Sequence, residues 1–417
     1  MLISIIIFLV VCFFAWKQTM TALAITLQTN VVRSIVSMDF VSPCYYCPMD
    51  DNILVGAVAP IFVFVIIILK LKLSGKVVKY RVDYFDLLLV IYFFAFCFGT
   101  MFSIAFLDSF VYTSKFILLG VPYYFITKTY LSNSKHSLEK EFLQFTTVSI
   151  IISFIYSLLA ISVLFINQDL IWRLTLPGVH PIPFSQMGGL SLLLCIILLF
   201  FYRKWTELKI KKTTLFILLV YFVLVVFATN TRGILVALVV SIIYLINLVK
   251  QDIFRKQIAQ ISIGIVIGTV VIVSQIDISF FFKRIANFTI DKSITERVAV
   301  YLESFSIFIE TKGVGTGPGA FEYYSFLGYP HNLLLENLAV FGFIGVILNL
   351  LIISIIIWVL INSKRWKKYI LLVSSICLFL FFFTEAMFSF TLWMQKGLFF
   401  TMALVSVSHG FFKTGRI

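Results

Sequence analysis

Long apolar runs dominate the chain, separated by short polar breaks. The runs fall at approximately 2–25, 53–69, 84–106, 110–127, 145–166, 185–202, 213–229, 233–249, 258–280, 337–361, 370–387 and 391–410. Each approaches the ~20 residues that an α-helix needs to cross a hydrocarbon core. None has the alternation of a barrel strand. The pattern predicts an all-α polytopic membrane protein with about twelve transmembrane helices. It forms a single integral membrane domain over residues 1–417. Lys17 interrupts the first run.

The breaks differ in charge. Connections 70–81, 128–140, 203–212, 250–257 and 362–369, with the tail 410–417, hold 22 of the 33 lysines and arginines. They alternate along the chain, as one consistent topology requires, and cytoplasmic loops are the basic ones. Both chain ends are therefore expected in the cytoplasm. Loops 26–52, 167–184 and 281–336 lie on the opposite face. The last, between the ninth and tenth spans, is the largest non-membrane segment. Loops of that length are functional or disordered, and the aromatic and apolar content here favours order.

Composition removes other classes. The chain is 61% hydrophobic and 12% charged, with a mean hydropathy of +1.06. A soluble domain is roughly half apolar and a quarter charged, so the solvent of this chain is largely lipid. Its net charge of +14 would suggest nucleic acid in a soluble protein. Here the basic cytoplasmic loops account for it, and no nucleic acid partner is implied. Residues 1–16 lack a basic start and a small-residue cleavage site, so no cleavable signal peptide is expected. Cys12, Cys97, Cys195 and Cys377 sit in apolar runs as small core residues. Cys44 and Cys47 form a CxxC without the second pair that zinc would need. In an oxidising compartment they suit a disulfide.

Candidate chemistry concentrates in the large loop. Residues 295–310 have helical periodicity, with Val298, Leu302, Phe305 and Ile309 on one stripe. This suits an amphipathic helix on the outer membrane face, with Thr295 available as its cap. Arg297 lies near the helix start, where a cation opposes the dipole. Gly315, Gly317 and Gly319 follow, around Pro318. They allow a tight turn whose N–H groups cradle an anion, or simply a loop. His331 and Asn332 then precede the next span. A histidine accepts protons near neutral pH, Asn332 can orient a ring or hydroxyl, and Tyr323, Tyr324 and Tyr329 offer faces for sugars. His180, Glu303 and Glu322 are rival bases. Arg173, Arg232 and Arg297 all lie on the outer face, against the topological bias. A diphosphate at the membrane surface would explain them, because guanidinium binds phosphate oxygens in a bidentate fork. Snorkelling to lipid phosphates is the alternative.

The segments ERVAVY, GVGTGPGAF and HNLLLENLAVFGFIG, with TRGILVALVVS upstream, resemble the signature of the O-antigen ligase/polymerase family. The likeness spans roughly residues 228–350. Tyr301 departs from the tryptophan that many members carry. The resemblance implies a metal-independent glycosyltransferase of the GT-C type, without cofactor, in the bacterial inner membrane with its site facing the periplasm. Its donor would be an oligosaccharide on undecaprenyl diphosphate. Family partners would include a chain-length regulator and a flippase besides membrane lipids. The family's functional arginines carry over to Arg232 and Arg297, and its histidine to His331. Two activities are implied: a polymerase joining lipid-linked repeat units, or a ligase moving the polymer to the lipid A core. A transporter is the non-enzyme alternative, but ionisable residues in the spans are few. Lys115, Glu385 and Lys396 are the clearest, each near a span end.

Overall fold

The computed structural model describes residues 2–32, 54–75, 78–166, 174–176, 179–248, 292–366 and 369–413. The ninth expected span, Cys44, Cys47 and Arg173 lie outside the described residues. Among those described, every regular element is helical. In chain order the longer helices are α1 (Leu2–Lys17), α2 (Thr19–Leu27), α3 (Ala59–Leu73), α4 (Tyr84–Met101), α5 (Phe106–Lys115), α6 (Pro122–Asn133), α7 (Leu138–Ile166), α8 (Pro181–Phe200), α9 (Lys212–Ala228), α10 (Arg232–Leu248), α11 (Lys292–Glu310), α12 (Leu333–Trp366), α13 (Ile370–Ala386) and α14 (Lys396–Lys413).

Five stretches are long and apolar enough to cross a bilayer: Leu54–Leu73, Tyr84–Met101, Leu138–Val163, Pro181–Phe200 and Leu333–Asn362. Shorter apolar helices occupy further positions where the runs predict spans. Several runs are not single helices. The first breaks at Gln18, whose backbone leaves the helical region. The fourth divides into α5, a wide turn at Phe116–Gly120, and α6 opening on Pro122. Proline has no N–H with which to continue a helix from the preceding turn.

The described chain packs as two compact units, Met1–Lys79 with Thr129–Ile278 and Tyr80–Lys128 with Ser279–Ile417. In the first, α8 is the most enclosed of the five stretches, its residues 83% buried. Small hydroxyl residues join it to its neighbours. Ser191 donates to Ser153 of α7 at 2.6 Å, and Ser153 to the Met187 carbonyl at 3.2 Å. Thr229 donates to Ser185 at 2.9 Å, and Ser157 meets Tyr221 at 2.8 Å. Such residues allow close approach of helices where water-driven burial is absent. Gly188 serves the same end, since a Cβ there would lie 3.2 Å from Val225.

The second unit is organised by a reversal inside α12. Gly342 has φ +57° and ψ −128°, far from helical values. Asn337 then reaches Asn349 at 2.8 Å, and Asn349 the Leu334 carbonyl at 2.8 Å. In a straight helix residues twelve apart lie about 18 Å from each other, so the halves of α12 fold back on one another. The expected span 337–361 is thus a short helix before Gly342 and a longer one after it. The break leaves backbone groups that need partners, and the glycine-rich loop supplies them. Thr316 N–H donates to Ala339 O, and Gly317 N–H to Val340 O, both at 3.0 Å. Phe343 N–H donates to Gly313 O at 2.8 Å. Gly315 and Gly317 have φ of +87° and +85°, and a Cβ on either would strike backbone within 2.6 Å.

A buried ionic cluster closes the other end of this unit. Asp83 caps α4 by accepting from Phe85 and Asp86 N–H, while Asp86 accepts from Asp83 N–H at 2.6 Å. Lys128 in the middle of α6 donates to Asp83 at 3.0 Å, Asp86 at 2.5 Å and the Tyr124 hydroxyl at 3.0 Å. Tyr80 donates to Asp86, and Ser406 of α14 to Asp83. Burial alone would raise the Asp83 carboxyl, but the Ser406 hydroxyl and the Lys128 charge more than offset it and hold it below its ordinary value.

Two outcomes are expected. Gly342→Ala places a Cβ about as close as 1.9 Å to Gly313 O in a backbone region costing roughly 1–3 kcal/mol, so thermal unfolding in detergent should show a clear loss. Gly75→Ala is the control: φ is +65° but nothing lies within 4 Å, and the loss should be about 1 kcal/mol. Equal losses would remove the docked loop as the cause. Lys128→Met leaves two carboxylates without their cation and should cost about 3–5 kcal/mol, read as a lowered Tm at neutral pH. A carboxyl depressed by folding stabilises above its unfolded value, and that share is lost as pH falls through the depressed one. Without Lys128 the burial that raises the Asp83 carboxyl is less opposed, so the variant takes up a proton at higher pH than the wild type. The gap between them should be widest at pH 8 and narrow as pH falls through the variant's carboxyl, levelling off below the wild type's depressed one.

Candidate functional site

In the second unit the candidate chemistry lies on α11, the turns that follow it and the start of α12. The sequence pattern places the first helix at 295–310, and it begins at Lys292. Thr295 therefore lies inside the helix rather than capping it. Val300 and Ile307 are buried in a small core with Phe321 and Ala339. The stripe Val298, Leu302, Phe305 and Ile309 is exposed, each residue by half or more. The protein thus covers a different face of α11 from the one the apolar periodicity marks.

Tyr329 links the candidate residues. Its ring meets that of His331 with centroids 4.2 Å apart and planes at 43°. Burial pushes its phenol above the ordinary value, Glu336 and Glu385 add to the rise, and the Arg297 charge opposes it. Arg297, His331, Glu336 and Glu385 therefore share the surroundings of one side chain. His331 itself has φ +55°, an uncommon value that a histidine adopts at a tight chain reversal.

The neighbouring polar residues are engaged in holding the turn. Asn332 caps α12, its Oδ1 accepting from Leu334 and Leu335 N–H at 3.0 and 3.1 Å. Its Nδ2 donates to Met387 O at 3.2 Å. Ser325 donates to Glu303, tying the loop to α11. Tyr323 is exposed and donates to Asp108 at 2.6 Å, which raises its phenol above the ordinary value. Tyr324 and Glu322 are exposed. Gly315 N–H donates to Thr311 Oγ1 at 3.1 Å, so the amides of residues 315–317 bind protein oxygens. Gly319 approaches Asp108 and Tyr112 so closely that a Cβ would lie 3.0 Å from each.

Arg232 opens α10 in the first unit, just after the turn at Thr229 and Asn230. His180, the rival base in that unit, caps α8 and accepts from Ile182 N–H at 3.3 Å. Among the described residues no group of three His, Cys, Asp or Glu side chains gathers as metal ligands do.

Glu336 was not visible as a site residue in the apolar run LLLENLAVFG. It is 4% exposed. Tyr112 donates to it at 2.5 Å, Thr391 also donates, and Leu392 N–H reaches both oxygens at 3.1 and 3.2 Å. A lone acidic residue inside an apolar run is the one signal that could have found it, because burying a carboxylate needs several donors. Glu385, wholly buried, accepts from Ser389.

Comparison with known proteins adds one finding. No curated protein and no solved structure matches the chain. Residues 216–350 match the family model described as O-antigen ligase. That segment holds Arg232, Arg297, the glycine-rich loop, His331 and Glu336. The match supports the O-antigen ligase/polymerase family for this chain.

Proposed function

We propose that this chain is a surface-polysaccharide polymerase. It transfers a glycan from undecaprenyl diphosphate to a sugar hydroxyl of another lipid-linked repeat unit at the periplasmic face of the inner membrane. The reading carries with it a twelve-span GT-C-type architecture. The family match supports the class of reaction, and the observation that carries the site is the grouping of Arg297 and His331 around Tyr329.

A sugar diphosphate is already an activated donor. The acceptor oxygen attacks the anomeric carbon, the bond from that carbon to the diphosphate oxygen breaks, and the hydroxyl proton goes to the His331 imidazole. A neutral imidazole is the side chain best suited to accept that proton. The departing diphosphate gains charge, which arginines already in position stabilise at no cost in reorganisation. Arg297 and Arg232 take that role, with Arg173 as a further candidate. Tyr324 and the exposed edge of the loop meet the sugars, while Gly315, Gly317, Gly319 and Asn332 act by holding the turn.

Purified protein with lipid-linked glycan in detergent tests the reading, since transport has no meaning there. Arg297→Ala and Arg232→Ala should abolish polymer with the protein still present in the membrane, and lysine should rescue poorly because a point charge lacks the bidentate fork. Full activity in both alanine variants would remove the diphosphate clamp.

His331→Ala should lose turnover by about 10²–10⁴-fold yet still bind the donor, and native activity should survive EDTA. Loss in EDTA restored by Mg²⁺ or Mn²⁺ would put a metal in the reaction. A deletion strain separates the two family activities: core carrying one repeat unit means polymerase, and bare core with lipid-linked polymer means ligase.

A further inference from the structure

Glu336 has the features of a group that sets geometry rather than meets substrate. It is buried, and its acceptor positions face donors from separate segments: Tyr112 of α5, and Thr391 and Leu392 of the turn between α13 and α14. It sits in the first turn of the short helix that follows His331. One turn earlier, Asn332 ties the same helix start to Met387 O at 3.2 Å. The helix start is therefore pinned twice to the 387–392 segment and once to α5. His331 stands immediately before these pins, at φ +55°, with its ring against Tyr329. Tyr329 in turn feels the Glu336 charge. A residue in an uncommon backbone conformation keeps it only where its surroundings over-determine it.

We infer that Glu336 is a positioning residue for His331. By locking the short helix of α12 to α5 and to the 387–392 turn, it aims the imidazole at the acceptor hydroxyl. The inference rests on the reading that His331 takes the proton. It assigns Glu336 no contact with substrate. Loss of the lock turns the ring away from its line of attack, so turnover falls while donor binding persists.

The test compares three variants in the purified enzyme. Glu336→Ala should lower kcat by about 10²-fold, the scale of a misplacement of about 1 Å, with KM for the lipid-linked donor within about twofold. Glu336→Gln keeps a carbonyl for Tyr112 and Thr391 and should recover much of that loss. Tyr112→Phe removes one donor and should give a smaller fall in kcat with KM unmoved. Carbethoxylation by diethyl pyrocarbonate, mapped by mass spectrometry, reads the ring without reference to activity. The rate at His331 should change in all three variants, while His136, His180 and His409 keep theirs. If Glu336→Ala does not fold, Glu336→Gln and Tyr112→Phe carry the test through the same two readouts. An unchanged carbethoxylation rate at His331, or a change in KM in place of kcat, would overturn the inference. Wild-type turnover in His331→Ala would instead overturn the reading beneath it. An enzyme that needs His331 and ignores Glu336 would leave that reading standing and remove only the lock.

Discussion

Inside a bilayer a peptide group has no water to turn to, and each unpaired N–H or C=O costs several kcal/mol. The reversal of α12 at Gly342 creates such groups in the middle of an apolar helix. The carbonyls of Ala339 and Val340 lose their helical partners and receive N–H groups from Thr316 and Gly317. The rest of the second unit follows from this docking. The loop must lie flat against the break, so residues 313, 315, 317 and 342 must be glycine. The short first half of α12 must turn back toward the second, so Asn337 and Asn349 bridge them.

The same fold-back places chemistry that a straight span would keep apart. His331 and Asn332 stand at the start of the short helix, and Glu336 one turn further along. The helix start is held by Asn332 to Met387 and by Glu336 to Leu392. The Tyr329 ring then meets the imidazole, and its phenol feels the Arg297 charge. Polar groups buried at such depth are expensive unless satisfied. Asn332 and Glu336 meet that demand through backbone amides and carbonyls and the hydroxyls of neighbouring segments.

Much of this was legible in the residues. The apolar runs mark the positions of the described helices, because length and continuity of hydrophobic character answer directly to the bilayer. The helix 295–310 was found to within a turn, since its periodicity is strong. What the pattern does not carry is the break in α12. Glycines as in FGFIG are common in membrane helices, and nothing local distinguishes the reversing Gly342 from Gly345, where the folded-back Asn337 carbonyl leaves no room for a Cβ. The glycine-rich loop reads as an anion cradle for the same reason: alternate glycines signal exposed or closely approached backbone, and only the partner decides which. Asp83, Asp86 and Lys128 escaped notice because their meeting depends on α4 and α6 packing together, 42 residues apart for Asp86 and Lys128.

The second unit is discontinuous in sequence, and that bears on how the protein is made. Asp83 finds Ser406 across 323 residues. At ~5–20 residues per second of synthesis, Asp83 is made roughly 16–65 s before Ser406 exists. During that interval the capped end of α4 has Lys128 but not the hydroxyl from α14, and the loop that closes the break in α12 has yet to emerge. The chain between, including the whole of the first unit's later helices, must be inserted meanwhile. The early-made Asp83 cap thus waits on Ser406 of the late-made α14 for the last of its donors.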